Sequence, residues 1–124
     1  MNQPPSKIKL HTRSATLELV YGDTSFQLSY EFLRVHSPSA EVKGHGNPVL
    51  QTGKKHVKIR NIEQVGNYAL KITFDDGHDT GLYSWQYLKD ICENQDAMWQ
   101  TYLQKLEKSG RTREPKLIGQ WLPE

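Results

Sequence analysis

The chain reads as an α+β domain, a mainly antiparallel β-sheet followed by two C-terminal helices. Three observations predict it. Short segments of alternating apolar and polar residues, separated by turn signals, fill the first thirty residues. A second strand system, rich in Val, Ile, Tyr and Phe, runs from Val57 to Phe74 and ends on Asp76-Gly77. Beyond Ser84 the apolar spacing changes from two residues to the helical three and four. Strands first and helices last is the order of an α+β domain rather than of a parallel βαβ fold.

Each element follows from its local residues. Residues 1–6 read as a disordered lead-in. Lys7-Ile8-Lys9-Leu10-His11 alternates as a half-buried strand should, and Arg13-Ser14-Ala15 turns it into a second strand, Thr16 to Tyr21. Gly22-Asp23 turns again into Ser25 to Ser29, with Phe26 and Leu28 on one face. Ser29 is a candidate N-cap for one or two helical turns over Tyr30 to Val35. His36 to Lys55 carries Ser37-Pro38-Ser39, Gly44-His45-Gly46 and Asn47-Pro48 and reads as a long irregular loop, with Val49-Leu50 docking its far end on the core. Gly66-Asn67 predicts a hairpin between strands at 57–65 and 68–74, the latter presenting Leu70, Ile72 and Phe74 on one face. Thr80 to Tyr83 is a short closing strand.

Ser84 is the N-cap expected for a helix from Trp85 to about Glu93, with Trp85, Leu88, Ile91 and Cys92 on its apolar face. A second helix, about Asp96 to Lys108, carries Trp99, Tyr102, Leu103 and Leu106 on one stripe and stops at Gly110. Residues 111–124 form a basic tail with four late apolar residues, Leu117, Ile118, Trp121 and Leu122. The expected domain therefore spans 7–110.

At 124 residues the chain fits one domain with a core of its own. No apolar run approaches the roughly 20 residues that span a bilayer. Met1 to Ser6 lacks a charged start and an apolar run, so no secretory leader is expected. A single cysteine, Cys92, excludes an intrachain disulfide and a thiolate-rich metal site, and points to the cytoplasm. Cys92 lies on an apolar helix face, where an inert buried thiol is expected. Net charge is +2 but uneven. Lys54, Lys55, Lys58 and Arg60 make a basic run; Asp75, Asp76, Asp79, Asp90, Glu93 and Asp96 face one Lys89; the tail is basic again.

The segment Phe74 to Leu88 is the one whose residue order looks like a site. A strand turns on Asp-Gly, presents His78 between acids, and enters an aromatic helix. Asp75, Asp76, His78 and Asp79 lie within one turn and offer nitrogen and oxygen donors, or an acid–histidine pair for proton transfer. His36 and His45 lie in the long loop. Neutral imidazole is the commonest metal ligand, although no His-Glu-x-x-His or Cys-x-x-Cys spacing is present. Gly44-His45-Gly46 is not followed by a phosphate-loop pattern, and no serine sits in a Gly-x-Ser-x-Gly elbow.

With these residues laid out, the chain resembles the gamma-butyrobetaine hydroxylase-like N-terminal domain family over roughly residues 7–106. The resemblance rests on Tyr30-Glu31-Phe32-Leu33-Arg34-Val35, on Ser37 to Val42 leading to Gly44-His45-Gly46, on Val65-Gly66-Asn67-Tyr68-Ala69-Leu70, and on Asp76-Gly77-His78 running to Ser84-Trp85-Gln86-Tyr87-Leu88. In full-length hydroxylases such a domain precedes a 2-oxoglutarate- and iron-dependent oxygenase domain and holds a structural zinc on a cysteine cluster after a Leu-Arg pair and one later histidine. Leu33-Arg34 and His78 match that pattern, whereas Ser37, Ser39 and Val42 stand at the cysteine positions. The resemblance thus argues against a thiolate zinc. It leaves a nitrogen- and oxygen-rich site for one iron or zinc ion at His78, with His36, His45 or Glu41. Similar domains also accompany P-loop ATPases of iron–sulfur cluster assembly.

The expected function is a non-catalytic accessory or interaction module with a protein partner, its surface formed by Ser37, Ser39, Glu41, Asp76 and Asp79 near His78. Two alternatives remain. One is a small metal-dependent enzyme or a subunit of a split oxygenase, using His78, His36, His45 and Asp79. The other is nucleic-acid binding through the basic run and tail, ranked last because the aromatic residues fall at core spacing.

Overall fold

The alternation of the first thirty residues folds as a meander. A computed structural model describes residues 3–44 and 48–115. Its first sheet pairs β1 (Lys7–His11), β2 (Thr16–Tyr21) and β3 (Thr24–Ser29) in antiparallel order. Register places Leu17 opposite Leu28 and Leu19 opposite Phe26. Period two then sends Leu17, Leu19 and Leu28 into the core, where all three are fully buried. The lead-in is pinned at its end, because the Ser6 N–H and hydroxyl both donate to the Val20 carbonyl.

Ser29 ends β3 and caps α1 (Tyr30–Val35), its Oγ accepting from the Phe32 N–H at 3.0 Å. All six residues of α1 are buried, Glu31 and Arg34 included. The loop expected after it contains one further turn of helix, α2 (Ala40–Lys43), entered at Ser39 and closed by Gly44 at φ +60°. Glycine takes that left-handed conformation without the steric cost of a Cβ.

The second sheet, β4 (Ile59–Val65), β5 (Ala69–Phe74) and β6 (Leu82–Ser84), is also antiparallel. Among the described residues the strands thus form two three-stranded antiparallel sheets, separated in the chain by α1 and the loop. Val57 is buried but precedes β4, whose register shifts between Ile59 and Asn61. Leu70, Ile72 and Phe74 face inward as their spacing predicts. β6 starts two residues later than expected and runs into α3 (Trp85–Glu93).

Ser84 Oγ accepts from the Tyr87 N–H, fixing the start of α3. Trp85, Leu88, Ile91 and Cys92 are buried as its apolar face. They join Leu17, Leu28, Phe32, Ile72 and Tyr83 in a core fed by both sheets. The helix α4 (Gln95–Ser109) follows after Asn94 and ends at Gly110 in the left-handed region. Its Tyr102 and Leu106 form a smaller cluster with Val35, against which Leu50, Trp99 and Leu103 pack. Of the expected Val49-Leu50 anchor, only Leu50 docks; Val49 is 52% exposed.

The described part of the tail is docked. Thr112 and Arg113 carbonyls accept from the Gly53 and Lys55 N–H groups. Arg113 meets the buried Glu31 carboxylate with two bonds, 2.8 and 2.7 Å, and lies over the Trp99 ring. Residues 116–124, with Leu117, Ile118, Trp121 and Leu122, lie outside the described residues.

Candidate functional site

The Asp76-Gly77 turn closes on itself and on the chain beside it. The Phe74 N–H donates to the His78 carbonyl, and the Gly77 N–H, with φ +90°, donates to Phe74. Asp75 accepts from the Lys58 N–H and donates its own N–H to the Lys58 carbonyl. Asp76 is the hub. One carboxylate oxygen accepts from Arg34 Nε at 2.9 Å and Lys54 Nζ at 2.7 Å, the other from the His78 N–H at 3.1 Å. Burial alone would raise this carboxyl. The bonds from Lys54, the His78 N–H and Arg34 outweigh it and hold the group at about 2.

These contacts aim His78 inward, where it is 8% exposed. Its Nε2 lies 2.8 Å from Ser37 Oγ and its Nδ1 3.4 Å from Glu41 Oε2. Ser37 Oγ also accepts from the Ser39 N–H, and Glu41 accepts from Thr80. Burial first, then the Arg34 guanidinium, push the imidazole below its ordinary value, against the smaller pull of Glu41 and Asp76. A neutral ring whose Nδ1–H faces Glu41 and whose Nε2 accepts from the Ser37 hydroxyl satisfies every partner. Gly81 lets this pair form: a Cβ there would lie 2.3 Å from Ser37 Oγ and 3.2 Å from Pro38 Cδ.

The order serine, histidine, carboxylate matches that of hydrolytic triads. Ser37, however, is 2% exposed beneath Gly81, whereas a nucleophile needs an open approach. The relay ties α1, α2 and the His78 turn together. Ser37 and Ser39 therefore support this surface from beneath, while Glu41, Asp76 and Asp79 are exposed on it.

His36 does not join His78. His36 Nδ1 donates to the Phe32 carbonyl at 2.9 Å, and the ring lies against Phe32 and near Tyr102. Burial lowers its pKa as well. His45 lies outside the described residues. Among the described residues, no three His, Cys, Asp or Glu side chains are grouped so as to hold a metal ion. The donors at the family's metal position do not fit a thiolate zinc. His78 Nε2 is bonded to Ser37, Ser39 Oγ is buried without a partner among the described residues, and Val42 lines an apolar groove beside α4. Cys92 is buried in the core, which pushes its thiol up to about 12. In the basic run, Lys54 pairs with Asp76 and Lys55 with Glu114.

His36 belongs to a feature the residue pattern did not announce: an apolar groove of about 690 Å³. Val35 and His36 of the α1 end, Val42, Leu50, Ile91 and Met98 are among its walls. Two hydroxyls brace it, Tyr87 donating to the His36 carbonyl and Tyr102 to the Gln51 carbonyl. Arg34 connects it to the histidine turn, since Nη1 donates to Gln51 Oε1 while Nε holds Asp76. One signal for it was present: Met98, Thr101, Tyr102 and Lys105 follow helical spacing on a second stripe of α4, and all four line the groove. Among the described residues, no helix is long and apolar enough to cross a membrane.

Known proteins share this architecture. A solution NMR structure of a protein matches with a TM-score of 0.84 and 50% identity, covering 100% of both chains. A second matches with a TM-score of 0.79 and 49% identity over 98% of this chain and 93% of the other. A crystal structure of a protein with unknown function from Acidithiobacillus ferrooxidans, placed in the DUF971 family, matches at 0.60 with 34% identity, over 70% of this chain and 90% of that one. No curated protein matches the chain at a significant level. The model of the family described as gamma-butyrobetaine hydroxylase-like, N-terminal matches residues 8–89, the span that includes α1, the Ser37 to Glu41 segment and the His78 turn, and the chain belongs to that family.

Proposed function

We propose that this chain is a non-catalytic accessory module that binds a protein partner, and that the groove between the α1–α2 segment and α3–α4 receives it. The observation that carries the reading is the combination of an open apolar groove with Val49, a large hydrophobic residue left 52% exposed at its edge. Val35, Val42, Leu50, Ile91 and Met98 give it an apolar wall against which another chain's apolar side chains can pack. The histidine relay supports the reading in a second way. Its serine is sealed and its imidazole neutral, as suits a brace for the groove wall through Asp76 and Arg34. Membership of a family described as the N-terminal part of hydroxylase-like proteins accords with a module that works beside another domain or chain. A photo-crosslinking amino acid at Ala97, an exposed groove residue, should give a discrete adduct with one protein in the source cell; its absence would contradict the reading.

A further inference from the structure

Granting that reading, the groove's polar atoms state what kind of segment it takes. His36 Nδ1 faces a carbonyl and so carries the ring's proton, which leaves Nε2 as an acceptor. Nε2 has no hydrogen-bond partner among the described residues, and the ring lines the groove. Lys43 and Lys105 stand at the rim, both exposed, and neither makes an ion pair with a described residue. Lys43 Nζ lies 5.6 Å from the centre of the Tyr87 ring, above a groove wall. Asp90 is the carboxylate at the rim; it accepts from the neutral Gln86 amide and keeps its charge, so among the described lining residues two lysines stand against one acid. Among the described residues the groove thus offers an apolar floor, a neutral acceptor at His36 Nε2 and a rim that is net positive by one charge.

We propose that the occupant is an apolar segment of a partner protein that carries acidic side chains beside its buried residues. Its apolar residues fill the floor, a donor such as a tryptophan N–H meets His36 Nε2, and its carboxylates approach Lys43 and Lys105. Charge at a rim steers encounter and selects partners more than it adds affinity, so the preference is salt-dependent. A cationic amphipathic segment of equal apolarity is rejected by the same two lysines.

Two short synthetic peptides test this against the full chain. They share one leucine and tryptophan stripe; glutamates flank it in one and lysines in the other. Fluorescence anisotropy at low salt should show the glutamate-flanked peptide binding about tenfold more tightly, with the gap closing as salt rises. Lys43→Glu with Lys105→Glu, both on the exposed surface, should abolish or reverse the preference without changing the fold seen by circular dichroism. Equal binding of the two peptides, tighter binding of the lysine-flanked one, or no saturable binding of either would overturn the proposal. So would binding that appears only after Trp121→Asp, which would assign the groove to the chain's own C-terminal residues. A partner cross-linked at Ala97 together with indifference to peptide charge would sink this inference and leave the interaction reading intact; no cross-linked partner would sink the reading itself.

Discussion

Gly81 carries as much of the site as any polar residue, because it has no Cβ. Ser37 Oγ, bonded to His78, occupies the space a side chain at 81 would take. Gly81→Ala should therefore cost roughly 1–3 kcal/mol, the range for forcing an atom into a packed interior. In a Ser37→Gly background, which removes that oxygen, the same change should cost markedly less. Urea denaturation of the four proteins gives the coupling, and additive costs would show that the Ser37 contact is not what Gly81 accommodates. The imidazoles make a second prediction at this scale. His36 and His78 both have folded pKa values below the ordinary one, chiefly through burial. The unfolded chain therefore takes up their protons first as pH falls. Stability is full above about pH 6.5 and declines below it. Asp76, held at about 2, adds a further loss between about pH 4 and 2. A melting temperature that stays flat from pH 7 to 5 would contradict the assignment of two neutral rings whose pKa values burial lowers.

Elements whose signals are local were legible before any coordinates. Ser29 and Ser84 each precede an apolar-periodic run and each caps a helix through its Oγ. Gly110 and the Leu70, Ile72, Phe74 alternation are likewise local facts. Ser84→Ala should cost about 1 kcal/mol by exposing the first-turn N–H groups of α3, and Ser84→Asp should restore most of it. Thermal melts decide this, and an unchanged midpoint for Ser84→Ala would show that packing of Trp85 and Leu88 alone sets the helix start. α2 escaped notice because four residues are too few for a period to show, although Ser39 and Gly44 bracket it as cap residues do. Val49 and Leu50 illustrate the limit of reading pairs of apolar residues as anchors. Adjacent residues in an extended segment point to opposite sides, and one was left in water.

At the scale of the molecule, what escaped the sequence is what depends on long-range assembly. His36 and His78 are both in loops, and nothing local says that one faces the α1 carbonyls and a groove while the other turns beneath Gly81. The pairing of Arg113 with Glu31, 82 residues earlier, is equally invisible to spacing. The resemblance located the family and the His78 turn, yet the groove is built from α1, the 48–51 segment, α3 and α4 at once. Two sheets share one core, and α3 links that core to the groove through Ile91. The most direct test of a partner-binding groove is photo-crosslinking from Ala97 compared with Leu82, an exposed strand residue outside the groove. The account predicts one adduct from Ala97, lost on Val49→Asp, and none from Leu82. Adducts from Leu82 alone, or from Ala97 with no sensitivity to Val49→Asp, would place partner binding elsewhere on the molecule.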